Sequence, residues 1–465
     1  MALVRLPDRF LPPPREGVLP AAPGLRAMLG PGIILVGLSI GSGEFVLWPR
    51  LTAQWGFALF WACWIGVTIQ FFLNMEIERY TLATGESAVT GFVRLSPIFG
   101  PVFILCGTLP WIWPGWATGA ATLLSWQVGG PVGVYAVAGL VLCGLLLSLG
   151  PVVYRTVETI QIGLVGLIFA LVLVLSFLVI PADSVRGLVA GALQVGHVPE
   201  GMNLPLLLGA LAFAGAGGTG NLAQSNYIKD KGYGMGRFIG RLTSPFTGRE
   251  EGASEVGIVF GDERDQLLRW RVWWRRANLE HLVTFYFLCL LSLALFCLLT
   301  HALLAQSDAV PEGIGFIREQ SRVLSERFGP FASRLFLLAG TAVLFSTELG
   351  ILDAVTRVVA DLVKVTYLRE HPRWGLSRLY LVILWSFIGF GIAILLAGFT
   401  QPLALLVLSA SLNAVVMFLY SGLLFWLGWR CYERPLRPSP LRFIALVVSF
   451  CFFGYFTLLT IADWI

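Results

Sequence analysis

Charged side chains are scarce in this chain of 465 residues, where Asp, Glu, Lys and Arg together make up only 13%. That share is about half of what soluble domains carry. Apolar residues make up 57% even before the 52 glycines are counted, and a soluble fold of this length cannot hide so many of them. The excess must face lipid, which excludes a soluble enzyme, a secreted disulfide scaffold and a disordered chain.

Residues that commonly carry catalysis or bind soft metals are few. The four His are predicted near span ends or in loops, and the seven Cys show no metal-ligand spacing, so we interpret the cysteines as small buried residues. A Gly-x-Ser-x-Gly pattern at 37–41 lacks the preceding strand that a nucleophile elbow requires. We therefore expect no enzyme and no cofactor, and the small net charge of +5 makes nucleic acid an unexpected partner.

Long apolar segments dominate the rest of the sequence. A spanning helix needs about 20 mostly apolar residues, and eleven segments qualify. We predict an all-α integral membrane protein with the spans 29–50, 52–75, 99–127, 130–150, 157–180, 204–227, 277–300, 331–360, 377–398, 401–428 and 441–461. Residues 1–28 have three consecutive prolines and no apolar core, so they are predicted to be a polar tail and not a signal peptide.

Lys and Arg are distributed unevenly between the predicted loops. Most of the 32 lie in the tail and in loops on the same side of the membrane, which predicts a cytoplasmic N-terminus in the cell (inner) membrane. With an odd number of spans, the C-terminus is expected on the extracytoplasmic side. The long loop 228–276 is then cytoplasmic, and we interpret the alternating Arg and Trp of Arg269–Arg276 as an anchor for anionic lipids.

Two spans carry unusual clusters of glycine. Span 1 reads Gly-Leu-Ser-Ile-Gly-Ser-Gly-Glu over 37–44, and span 6 reads Phe-Ala-Gly-Ala-Gly-Gly-Thr-Gly-Asn over 213–221. Each glycine costs about 1 kcal/mol of helix propensity, so both helices are predicted to be broken. Matched interruptions at the start of two successive five-helix sets indicate an inverted-repeat transporter with a site near the midplane. Close packing of small residues is the alternative.

Several short motifs resemble the Nramp family of metal-ion transporters, which has the LeuT-type fold. They are Gly-Pro-Gly at 30–32, Thr-Ala-Gln-Trp-Gly at 52–56, Thr-Gly-Glu at 84–86, Arg-Thr-Val-Glu at 155–158, Asn-Leu at 221–222 and Leu-Val-Leu-Ser at 406–409. The resemblance implies alternating access and two inverted five-helix repeats, 29–203 and 204–428. An eleventh helix within 429–465 would follow.

Two motifs depart from the transition-metal carriers of that family. Their Asp-Pro-Gly-Asn in helix 1 corresponds here to Gly41-Ser42-Gly43-Glu44, and their Met-Pro-His in helix 6 corresponds to Gly218-Thr219-Gly220. Without the thioether and the imidazole, no ligand selects a transition metal by softness. Transport of such a metal by the family's usual geometry is therefore not expected.

The predicted substrate site lies between the two breaks. Glu44 is an ionisable residue in mid-span, so it is expected to bind the substrate as a metal ligand or, when protonated, to carry a coupling proton. A first-turn cap without substrate contact is the alternative. The other candidate substrate ligands are Gly41, Ser42, Gly218, Thr219, Asn221 and Gln224.

Oxygen ligands of this kind suit Mg²⁺ or Ca²⁺. A hard divalent cation such as Mg²⁺ is therefore the first candidate substrate, and a small organic cation or an amino-acid-like solute is the second. Trp111, Trp113 and Trp116 in span 3 would suit an ammonium group, although they also fit an aromatic belt at the outer interface. An ion channel or a non-transporting sensor on the same scaffold stays open.

Span 8 carries four further charged candidates. Glu348 lies near mid-span and is predicted to take part in coupling or gating, with burial against a neighbouring helix as the alternative. Asp353, Arg357 and Asp361 are spaced by four and share one helical face. We predict that they form an ion-pair ladder with a structural or gating role.

Overall fold

The computed structural model describes residues 3–150, 152–244, 256–305 and 310–464. Part of the predicted loop, 245–255, and the C-terminal residue therefore lie outside the described residues. Within the described ranges the helices are α1 Leu25–Met28, α2 Pro31–Trp55, α3 Phe60–Thr84, α4 Ala88–Leu95, α5 Phe99–Thr108, α6 Gly115–Val128, α7 Val132–Leu149, α8 Val153–Val179, α9 Ala182–Leu193, α10 Leu204–Ala212, α11 Gly218–Lys231, α12 Arg264–Leu304, α13 Gly315–Phe328, α14 Pro330–Tyr367, α15 Leu376–Leu396, α16 Pro402–Arg430 and α17 Pro440–Trp464.

The predicted all-α membrane class is confirmed. Nine helices in the described part of the chain are long and apolar enough to cross a membrane. Two predicted spans are each divided into shorter helices: 99–127 forms α5 and α6, and 204–227 forms α10 and α11. Helix length therefore supports nine crossings, and the count of eleven stays a prediction.

Helix α14 lies at the centre of the bundle. It is 38 residues long and packs against α2, α5, α6, α8, α11 and α15. From Ser346 to Asp361 nearly every residue is buried, including all of the charged ones. The polar side chains of this stretch therefore face the protein interior and not lipid.

Residues 3–28, which we call the strap, pack across one end of the bundle. A short strand β1, Arg15–Gly17, pairs in parallel with β2, Ile258–Phe260. Several apolar residues of the strap are buried, among them Leu11, Leu19 and Met28. The buried side chains hold residues 3–28, which were predicted to be a polar tail, against the rest of the protein. We call this end the strap end.

The Arg- and Trp-rich start of α12 holds the strap. Its side chains donate hydrogen bonds to strap carbonyl oxygens over 2.7–2.8 Å: Arg269 to Leu19, Trp273 to Pro20 and Arg276 to Ala22. Much of the segment predicted to bind anionic lipids is thus engaged within the protein. Arg271 and Arg275 are exposed.

Candidate functional site

The glycine-rich part of α2 departs from α-helical geometry without unwinding. Residues Ile40–Leu47 form a π-helix, and the helix runs continuously from Pro31 to Trp55. The predicted interruption of span 1 therefore takes the form of a wider helical turn, in which the backbone groups remain hydrogen-bonded.

A hydroxyl group from α14 accounts for this wider turn. Thr347 Oγ1 donates to the carbonyl oxygen of Gly37 at 2.8 Å and accepts from the amide of Gly41 at 3.0 Å. In an α-helix these two backbone groups would bond to each other, and an inserted side chain is a known cause of local distortion. Gly41 leaves room for the hydroxyl, since a Cβ there would collide with it.

Span 6 is broken where the sequence predicted. Helix α10 ends at Ala212, α11 begins at Gly218, and the residues between them are not helical. Gly217 and Gly218 have φ angles of +69° and +42°, a conformation that residues with side chains rarely adopt. The glycines are therefore required for the change of direction.

Gln70 of α3 satisfies backbone groups that this break frees. Its Nε2 donates to the carbonyl oxygen of Ala212 at 3.0 Å, and its Oε1 accepts from the amide of Gly217 at 3.2 Å. The same oxygen accepts from Asn221 Nδ2 at 3.2 Å. Gln70 was not among the predicted site residues, although an amide side chain in an apolar span signals a buried polar partner.

The two irregular segments are in direct contact. A Cβ on Gly43 would collide with the carbonyl oxygen of Phe213, so the π-helical part of α2 lies against the backbone of the break. Both segments are buried at this point. Irregular backbone in a membrane protein is tolerated where it is enclosed by protein or lines a cavity.

Glu44 is completely buried, and its carboxylate is held between α2 and α12. Ser39 Oγ donates to Oε1 at 2.6 Å, and Ser292 Oγ of α12 donates to Oε2. Among the described residues, no hydrogen bond joins this carboxylate to the broken segment. The predicted cap role is also not what the contacts show, because the partners of Glu44 are hydroxyl groups and not helix amides.

The predicted ligands on α11 separate into two groups. Thr219 stays at the break, where its amide donates to Asn413 Oδ1 at 3.3 Å and its hydroxyl to the Cys106 carbonyl at 3.0 Å. A Cβ on Gly218 would collide with the Asn413 side chain. Gln224 lies one turn farther along α11, where its Nε2 donates to Glu78 Oε2 of α3 at 3.1 Å.

Some oxygen atoms near the break lack a partner. Asn221 Oδ1 and Gln224 Oε1 are buried without a hydrogen bond in the part of the chain that the structure describes. Ser42, on the π-helical segment, is buried as well. In the same part of the chain, no group of three or more His, Cys, Asp and Glu side chains is arranged to hold a metal ion.

Three aromatic rings adjoin the break. Trp111 stacks on Trp116 with centroids 5.8 Å apart, and the two rings lie 5.9 Å and 5.8 Å from Phe213. Both indole N–H groups are buried without an acceptor among the residues that the structure describes, although a buried indole usually finds one. Trp113 makes no ring contact with this cluster among the described residues.

Glu348 faces a different part of the bundle. Its Oε2 accepts a hydrogen bond from the amide of Ala117 at 3.2 Å, in the first turn of α6, where the helix dipole favours a negative charge. The side chain also lines a mostly apolar cavity of about 360 Å³ between α6, α7 and α14.

The charged residues farther along α14 are tied to α11. Arg357 Nε donates to both oxygens of Asp353 at 2.8 Å, and Arg357 Nη1 donates to Asp230. Asp361 pairs with Lys229 at 3.4 Å and not with Arg357. Asp230 and Lys229 were not predicted as partners because both lie in 228–276, which was predicted to be a loop, whereas α11 continues to Lys231.

Solved transporters share this architecture. A manganese transporter from Eremococcus coleocola matches with a TM-score of 0.69 and 14% identity over 97% of this chain and 90% of that one. The same transporter in complex with an aromatic bis-isothiourea-substituted compound gives 0.67 and 15% over 99% and 91%. Mhp1, a nucleobase-cation-symport-1 family transporter in a closed conformation with bromovinylhydantoin bound, gives 0.53 and 12% over 97% and 94%.

The chain has the LeuT-type transporter fold. It is a multi-pass membrane protein. No protein-family model and no curated protein sequence matches the chain. At this level of identity the similarity establishes the fold, so the substrate must be argued from the residues of this chain.

Proposed function

We propose that this LeuT-type protein is a secondary-active transporter that moves a small cation by alternating access, as a divergent relative of the Nramp carriers. The observation that carries the proposal is the contact of Gly43 with Phe213, which brings the π-helical segment and the broken helix together inside the bundle. Paired irregular segments of this kind mark the substrate site in inverted-repeat transporters.

The substrate would bind where these segments meet. Glu44 supplies a carboxylate, and Ser42, Thr219, Asn221 and the backbone of Gly41 and Gly218 supply oxygen atoms. To reach a substrate beside the break, the Glu44 carboxylate must leave at least one of the two hydroxyl groups that hold it, Ser39 or Ser292. We leave Gln224 out of this set because its amide is bonded to Glu78.

A hard divalent cation such as Mg²⁺ is our first candidate substrate. The groups around the break offer oxygen atoms and no thioether or imidazole, which favours a hard ion over a soft one. An organic cation is the second candidate, and the cluster of Trp111, Trp116 and Phe213 beside the break favours it. Desolvated aromatic faces stabilise an ammonium group by about 2 kcal/mol.

Charged residues at the strap end would close the cytoplasmic side. Arg357 joins α14 to Asp230 at the end of α11, and Lys229 of α11 pairs with Asp361 of α14. Opening toward the cytoplasm would separate these pairs. The excess of Lys and Arg in the tail and its neighbouring loops supports a cytoplasmic strap end, where Arg271 and Arg275 would contact anionic lipid headgroups.

The test is uptake into proteoliposomes that contain the purified protein. Mg²⁺, Ca²⁺, Mn²⁺, ethanolamine and choline are offered one at a time, and saturable uptake of Mg²⁺ or of an amine is expected. Glu44→Gln should lower that uptake about tenfold or more, since it removes the charge that pairs with the cation. Glu433→Gln, an exposed acid of the strap end, is the matched control and should behave like the wild type.

Two results would contradict the proposal. Strong Mn²⁺ uptake that Glu44→Gln leaves unchanged would show that the substrate site lies elsewhere. A steady ohmic current in planar bilayers, without saturable uptake, would indicate a channel.

A further inference from the structure

A stripe of polar side chains begins beside the break of span 6 and runs along α3 toward the strap end. Gln70, Asn74 and Glu78 are spaced by four, so they lie on one face of the helix. All three are at most 1% exposed. Ionisable and amide side chains are costly inside a membrane protein and usually mark a pathway for ions or protons, so this stripe requires an explanation.

Helix α11 presents a matching face to the stripe. Asn221 Nδ2 donates to Gln70 Oε1 at 3.2 Å, and Gln224 Nε2 donates to Glu78 Oε2 at 3.1 Å. Because Gln70 also bonds the broken backbone at Gly217, the two faces form one polar connection. It begins at the substrate site proposed above and leads along α3 toward Glu78.

Helix α12 adds two titratable groups at the far end. His281 Nδ1 lies 3.5 Å from Gln224 Nε2, and Glu280 accepts a hydrogen bond from Thr284 at 3.0 Å. Glu280 and His281 are only 4% and 0% exposed, although both lie near the start of the predicted span 277–300. Glu280 also adjoins Gly32 at the start of α2.

Several atoms along this connection have no partner. Both amide atoms of Asn74, Gln224 Oε1 and His281 Nε2 are buried without a hydrogen bond among the described residues. Buried polar atoms are normally paired with protein or with ordered water. Water molecules bound at these atoms would join Asn74 to the Glu78 carboxylate and to the His281 ring.

The chemistry of the connection fits a proton better than a metal ion. Carboxyl and imidazole groups in series are the usual components of proton relays in transporters, and amide side chains between them can bind the linking water. A dehydrated metal ion would need several oxygen ligands around one point, and the described residues contain no cluster of three acidic, His or Cys side chains arranged for one.

We propose that a coupling proton moves along this connection between the broken helix and the strap end, and that Glu78 is the group that carries it. The proton would reach the Glu78 carboxylate from Glu280 and would leave toward the break through water bound at Gln224 and Asn74. The inference rests on the proposed transport function, because a coupling proton needs a transported substrate.

The charges that face Glu78 explain why its protonation would affect α11. Glu280 of α12 repels the ionised carboxylate, Arg442 of α17 attracts it, and the neutral Gln224 of α11 bonds to it. The His281 ring and the Tyr233 phenol are the other titratable groups nearby. A proton on Glu78 removes the repulsion and weakens the bond to Gln224, which loosens α11 at the point where the helix must move.

Glu78→Gln tests the proposal, because the amide has the shape of the protonated acid but carries no exchangeable charge. In proteoliposomes with an imposed pH gradient, we expect accumulation of the transported Mg²⁺ or amine to fall about tenfold or more. Exchange of the same probe without a gradient should stay within about twofold of the wild type. Glu433→Gln should keep both activities.

A second measurement does not depend on transport. Infrared difference spectra of the purified protein between acidic and alkaline buffer should show a titrating buried carboxyl band that Glu78→Gln removes. If Glu78→Gln does not fold, Glu280→Gln takes its place and should likewise abolish proton-driven accumulation while exchange continues.

The proposal is overturned if Glu78→Gln accumulates the probe as the wild type does. It is equally overturned if the variant folds but loses exchange as well as accumulation. It is also overturned if the carboxyl band is absent from the wild type or persists in the variant. Wild-type protein that moves none of the probes but shows the band would instead contradict the proposed transport function.

Discussion

At the scale of single residues, one hydroxyl determines the geometry around Glu44. Thr347 occupies the position that a backbone hydrogen bond would take in an α-helix, between Gly37 and Gly41. The turn that follows is therefore wider, and it carries the Glu44 carboxylate to Ser292 of α12. Without the hydroxyl, the two backbone groups would either bond to each other or stay buried and unpaired.

Thr347→Val removes this hydroxyl and nearly preserves the volume of the side chain. We expect a loss of about 1–3 kcal/mol of stability for the unpaired backbone groups, measured as a lower unfolding temperature in detergent. Thr347→Ser keeps the hydroxyl and should recover most of the loss.

The matched control for Thr347 is Thr122→Val on α6. Within the described part of the chain, that hydroxyl bonds only to the Thr118 carbonyl of its own helix, at 2.7 Å. Equal effects of the two Val substitutions would show that the hydroxyl of Thr347 has no special role in α2.

At the scale of elements, the glycines of α2 and of the break allow two backbones to touch. A side chain at Gly43 would collide with the carbonyl oxygen of Phe213, and a backbone atom cannot rotate away as a side chain does. The contact therefore fixes the distance between α2 and the α10–α11 pair.

Gly43→Ala should separate these helices. We expect it to cost about 1–3 kcal/mol or more, as overpacking does, and to abolish uptake. Gly163→Ala on α8 is the control, because a Cβ there meets open space and should stabilise the helix by about 0.5–1 kcal/mol. Wild-type uptake and stability in Gly43→Ala would refute the backbone contact.

The sequence predicted the break in span 6 better than it predicted the π-helical segment of span 1. Gly217 and Gly218 follow each other, and their local conformational preference is enough to interrupt span 6. The π-helix depends on Thr347, about 300 residues away in the chain, which no local pattern of span 1 reveals. For the same reason Gln70 and Glu78 escaped notice, since their partners on α11 are defined only by the fold.

At the scale of the whole molecule, the proposed alternating access would require the strap end to open and close. The buried pairs of Arg357 with Asp230 and of Lys229 with Asp361 join α11 to α14 there. The strap crosses the same end, where Tyr233 just beyond α11 donates a hydrogen bond to the Met28 carbonyl. The described conformation is therefore closed at this end by side-chain pairs and by a segment of chain.

Asp230→Asn should favour the open conformation without leaving a buried charge unpaired, since Arg357 keeps both bonds to Asp353 at 2.8 Å. Ala360 is 0% exposed and lines the small space beside Arg357. In a cysteine-free background, Ala360→Cys should react with a membrane-impermeant maleimide about tenfold faster when Asp230→Asn is also present.

Asp183→Asn provides the control for this labelling experiment, because Asp183 is exposed and its ion pair, with Arg186 at 3.0 Å, is exposed as well. Its labelling rate should equal that of the background. If Asp230→Asn also leaves the rate unchanged, the α11–α14 pairs do not hold the strap end closed. Deleting the strap as far as Pro20 would then test whether the strap is the barrier that remains. An equilibrium between a closed and an open state responds only to contacts that differ between the two states.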